Sequence, residues 1–147
     1  MVNREQAIIL GALGLTEVAV AIAVVLIAQV RISGTGSIRA IGVKIYGDDL
    51  LTKEISAIDW GSIDVGGSSV VTLWVKSNST ISITLSMSTD SWQPALAGQY
   101  LTLTWNYNGA QLLPGQSMPI DLTLQVSPDI HDVADFSFMT TIEMRST

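Results

Sequence analysis

The chain has 147 residues, of which 14% are charged, a formal net charge of −6, and no cysteine. A surface built to neutralise phosphates is excluded by that charge, so nucleic acid is not expected as a partner. Disulfides, thiolate metal sites and thiol nucleophiles are excluded by the missing cysteine, so stability has to come from packing.

The first predicted element is apolar. Ala7 to Val30 reads "AIILGALGLTEVAVAIAVVLIAQV", roughly 24 residues, enough for a helix to cross a hydrocarbon layer of about 30 Å. Arg4 before the run raises the alternative of a removable secretory signal. The run is long for one, however, and "AQVRISG" is a poor cleavage site, so a lasting helix over residues 1–31 is expected. Glu17 lies well inside it, where a carboxylate costs about 2.5 to 3.5 kcal/mol on insertion. A neighbouring helix would offset that cost by hydrogen bonding. Thr16, Glu17 and the small residues Gly11 and Gly14 are therefore the candidate helix–helix assembly positions. The bland alternative is that Glu17 is protonated or snorkels while the surrounding Leu, Ile and Val outweigh it.

Next comes "ISGTGS", Ile32 to Ser37, read as a flexible linker by composition. From residue 38 onward the texture is that of strands. "IRAIGVKIY", a short strand near "AIDW", and "VVTLWVK" come first. In "TISITLSMS", Ile81, Ile83, Leu85 and Met87 alternate with Ser and Thr. The same period of two recurs in "YLTLTWNY", in "IDLTLQV", and at Phe136, Phe138 and Ile142. Turn signals stand at "VGGSS", "KSNST", "NYNGA" and "LLPGQ". About seven strands so spaced predict a mainly β domain over 38–147, an antiparallel sandwich with one wet face on each sheet.

Site chemistry is sparse. His131 is the sole histidine, which excludes a Ser-His-Asp triad built with any other histidine and every multi-histidine metal site; no phosphate-binding glycine loop follows a strand. No enzyme activity, cofactor or metal is expected. Asp129, Asp132 and Asp135 gather near His131 in a spacing that matches no cation loop, and solvated loop acids are the expected outcome. Asn78-Ser79-Thr80 is a glycosylation sequon in a predicted turn, making Asn78 a candidate glycan acceptor. Of the four tryptophans, Trp105 is placed on a core face. Trp74 falls opposite Val71, Leu73 and Val75, so that its strand is apolar on both faces. Trp74 and Val70 then form a candidate surface contact, for sugar or for a neighbouring subunit, with core filling the competing reading for Trp74.

The runs "IDWGSIDVGGSSVVTLWVKSNSTISITLSMSTDSWQP", "YLTLTWNYNGAQLLPGQSMPIDLTLQVSP" and "FSFMTTI" resemble the single-domain immunoglobulin-like surface proteins of archaea. Those proteins join an N-terminal hydrophobic helix to one β-sandwich, an architecture shared with pilins and archaellins. "GLTEV" is similar to the start of pilin helices, without the usual Lys/Arg-Gly processing site. The resemblance implies an immunoglobulin-like sandwich at the cell surface. Two non-enzymatic functions are then expected. One is a subunit of a filament or pilus-like assembly, with helices bundled inside and sandwiches outside. The other is a single-pass anchored extracellular domain for adhesion or partner binding. The expected partners are copies of the chain itself, the membrane, and a glycan on Asn78. Arg31, Arg39 and Lys44 after the helix argue for a cytoplasmic sandwich by the positive-inside rule. The acidic, Ser/Thr-rich texture and the resemblance favour the outside.

Overall fold

Side chains alternating between apolar and polar put one face of a strand in a core and the other in water. A computed structural model, which describes residues 30–147, shows eight strands formed on that pattern. They are β1 (Arg31–Ile41), β2 (Val43–Tyr46), β3 (Ala57–Asp64), β4 (Ser68–Ser77), β5 (Ile83–Gln93), β6 (Leu101–Trp105), β7 (Ser117–Val126) and β8 (Asp135–Ser146). Sheet A has the order β3-β1-β8-β5 and sheet B the order β2-β4-β7-β6. One buried cluster draws on both: Ile32, Ile58, Trp60, Phe136, Phe138 and Ile142 from sheet A, and Leu73, Val75, Ile120, Leu122, Leu124 and Val126 from sheet B. Each such aliphatic or Phe side chain contributes about 1.5 to 3 kcal/mol through removal from water.

"ISGTGS" is not a linker. It is the first half of β1, hydrogen-bonded antiparallel to β3 and parallel to β8. Its glycines take the inward positions between buried Ile32 and Ile38. A Cβ on Gly34 would sit 2.5 Å from a ring carbon of Phe136, and one on Gly36 would sit 3.0 Å from Trp60 Nε1. Two neighbouring aromatic rings thus occupy the space that β1 leaves empty. The β1–β8 pair also makes sheet A mixed, where a wholly antiparallel sandwich is expected from the alternation.

"IRAIGVKIY" divides at Gly42, whose φ of +78° and contact with the Met144 side chain favour a residue without a Cβ. The chain passes there from sheet A to sheet B, so one expected strand becomes the end of β1 and the whole of β2. Ile81, expected on a buried face, lies before β5 and is 53% exposed. Its backbone N–H donates to Ser79 Oγ in the turn, 3.1 Å away. Beyond β6 the Tyr107 hydroxyl joins the layers by accepting from the Leu85 backbone N–H of β5 at 3.2 Å.

The described residues contain one 3₁₀ helix, Ala95–Gln99, and no helix long and apolar enough to cross a membrane. The helix expected over 1–31 falls outside the described residues except for its last two positions, and Arg31 opens β1. Gly11, Gly14, Thr16 and Glu17 all lie outside the described residues.

Candidate contact surface

Because Leu73 and Val75 of β4 are fully buried, Trp74 between them emerges on the opposite, solvent face of sheet B. Its neighbours on that face are set by register. Tyr46 of β2 stands directly opposite it on one side and Pro119 of β7 on the other. Strands lie about 4.8 Å apart, so Tyr46, Trp74 and Pro119 form a cross-strand row about 10 Å long. The two rings are half-buried and Pro119 is exposed. A proline is tolerated in β7 here because the pairing with β6 covers only Leu122 to Val126, leaving no ladder bond for the missing N–H.

Polar rows flank this apolar one. On one side Thr72 Oγ1 donates to Asp121 Oδ1 at 2.7 Å, Asn106 Nδ2 donates to Asp121 Oδ2 at 3.4 Å, and the Asp121 backbone N–H donates to Asn106 Oδ1 at 2.9 Å. On the other side Lys44 is paired directly with Lys76, which is paired with Ser117. Like charges opposite each other destabilise an antiparallel pair. Among the described residues the ion pairs are Arg31–Asp64 at 2.8 Å and His131–Asp132 at 4.0 Å, so neither lysine has a carboxylate within ion-pair distance. Val70, 58% exposed, is on the same face but one row further on, opposite Thr123. The two residues singled out in the sequence therefore share the wet face, with Thr72 between them.

The other tryptophans are structural. Trp60 is buried, Trp92 stacks on Phe138 with centroids 4.2 Å apart, and Trp105 meets Tyr107 edge-on at 5.1 Å. Asn78 is exposed in the loop after β4, with its backbone N–H donating to the Gly42 carbonyl at 3.3 Å. His131 lies edge-on to Tyr100 at 5.2 Å and within 3.2 Å of its hydroxyl. Of the acids near it, Asp135 accepts from Ser33 Oγ at 3.0 Å. Among the described residues no three His, Cys, Asp or Glu side chains are arranged to hold a metal ion.

A recess of about 310 Å³ opens where β1 bulges against β3, with Ser33, Thr35, Asp59 and Asp135 among its lining residues. Its carboxylates serve the fold: Asp59 accepts from the Gly61 N–H at 2.9 Å, as Asp135 does from Ser33.

Tyr46 and Pro119 were not singled out by the sequence. Each occupies an outward position of a strand, in "VKIY" and "SMPIDL", and that outward apolar character is the signal. What joins them to Trp74 is the register of three strands distant in the chain.

No family model matches the chain, and no curated protein matches it. The resemblance to archaeal surface proteins of pilin- and archaellin-like architecture is accordingly not sustained. No helix of that architecture appears among the described residues either. The physical reason is that period-two alternation and turn glycines are what any β-sandwich needs, so those motifs mark strands and turns without marking a lineage.

Proposed function

We propose that this chain is a non-enzymatic, membrane-anchored domain displayed outside the cell, which holds a partner on the solvent face of sheet B. The observation that carries the reading is the Tyr46–Trp74–Pro119 row, a contiguous apolar strip on a face that no described element covers. Rings on a wet face are not explained by core packing, and such patches mark contact sites. Display outside is supported by the apolar run Ala7 to Val30, the acidic composition and the exposed Asn78 sequon. An immunoglobulin-like description of the sandwich belongs to this reading, supported by the passage of the chain from sheet A to sheet B between β1 and β2 and by the parallel pairing of β1 with the last strand.

A second reading, a subunit of a surface filament assembled through its apolar segment, is favoured by Glu17. A carboxylate within an apolar run is better accommodated between helices than in lipid.

Protease treatment of intact cells tests display. The expected result is release of a resistant fragment beginning near Arg31. A chain cut only after lysis would refute it.

A further inference from the structure

The solvent face of sheet B allows the partner's chemistry to be named, on the reading that the domain is displayed and binds through this face. We propose that Tyr46, Trp74 and Pro119 form a stacking platform for an acidic saccharide, with its carboxylates held over Lys44 and Lys76. The apolar C–H face of a pyranose ring packs on an aromatic face, and the row of about 10 Å gives length for two consecutive rings. Sugar hydroxyls point out from the ring edge, so a platform for them needs polar groups on both sides. Thr72, Asp121 and Asn106 supply one side and the lysine pair the other. The Asp121 carboxylate is already engaged by Thr72 and Asn106, which fixes its position before any ligand arrives.

The charges of this face are divided, with Glu54 bridged to Tyr46 at one end of the row and Asp121 on one flank, so the lysine flank is where an acidic saccharide is preferred over a neutral one. Two lysines opposed across strands, without a carboxylate within ion-pair distance, repel each other, and an anionic group above them relieves that repulsion. A second copy of the chain is a poorer occupant. A stable interface buries about 1,200 to 2,000 Å² in total, whereas the apolar strip here is one row deep, and a second copy would have to desolvate both lysines.

The test uses the full-length chain in detergent, titrated with an oligogalacturonide and with a neutral galacto-oligosaccharide, by calorimetry at low and high salt. The oligogalacturonide is expected to bind more tightly, and more weakly as salt rises. Trp74→Ala should weaken that binding about tenfold, and Trp74→Tyr, which keeps a ring, should restore most of it. Lys44→Gln with Lys76→Gln should remove the preference for the acidic ligand and the salt dependence.

Equal binding of both sugars, with no effect of the lysine changes, would overturn the assignment. So would absence of saccharide binding, whether or not Trp74→Ala alters self-association in sedimentation. The display reading fails separately: a domain that protease cannot reach on intact cells, yet binds the oligogalacturonide, contradicts display alone.

Discussion

Trp60 carries the one buried side-chain nitrogen or oxygen without a hydrogen-bond partner among the described residues, its indole Nε1. The ring is 3% exposed, lies near Phe138 at a centroid distance of 6.1 Å, and reaches over Gly36. Its contribution to stability is therefore apolar, reduced by the desolvation of an unsatisfied N–H. Trp60→Phe, which removes that N–H at the cost of a smaller cavity, should be clearly less damaging than Trp60→Ala, which should cost about 3 to 5 kcal/mol. Urea unfolding of both variants checks this; a Phe variant as damaged as the Ala variant would show that the indole nitrogen has a partner.

At the same scale, Asp48 closes the turn after β2. Its carboxylate accepts from the Thr52 hydroxyl and from the backbone N–H groups of Thr52 and Lys53. The Thr52 hydroxyl, followed by those N–H groups, holds the carboxyl below its ordinary value against the opposing effect of desolvation. A carboxyl lowered by folding adds stability that is present above its unfolded value, about 3.9, and is lost as pH falls through the folded value. Asp48→Asn should therefore lower the thermal midpoint at pH 7 more than at pH 2.5, and an equal loss at both would contradict the turn's dependence on the charge.

Among the elements, β1 shows why alternation was legible and glycine was not. Strands β7 and β8 announce themselves because Leu122 and Leu124 alternate with Asp121, Thr123 and Gln125, and Phe136 and Phe138 are separated by Ser137. In β1 the inward positions 34 and 36 are glycines, and their apolar partners Phe136 and Trp60 come from other strands, so a sequence window sees only linker composition. The parallel pairing with β8 was illegible for a related reason, since it joins the first strand to the last. The candidate surface was legible in part. Trp74 and Val70 show as apolar residues out of phase with their strand, while Tyr46 and Pro119 become their neighbours only through register. The boundary of the folded unit moves accordingly from 38 to 31, and the unit from Arg31 to Thr147 is compact in itself. Every pair that holds β3 to β1 falls between Arg31 and Ser37. Residues 31–147 alone should give a cooperative, β-rich unfolding transition, whereas 38–147, with β3 deprived of its partner, should be unfolded or aggregated. Circular dichroism of the two fragments decides, and equal stability would contradict the placement of β1.

At the scale of the whole molecule, the chain combines an apolar run, a sandwich, and one face on which aromatic side chains meet water. The unpaired Lys44–Lys76 couple stands out in a chain whose formal net charge is −6. On the proposed reading the domain acts by holding a partner on this face and needs no catalytic residue. Hydroxyl-radical footprinting measures this most directly, comparing the protein on intact cells in their native surroundings with the protein purified in detergent. The expected result is that Trp74 and Tyr46 are protected on cells and reactive once purified, while Trp92 and Trp105 react alike in both. Equal reactivity of Trp74 and Tyr46 in the two settings would contradict a binding role for this face.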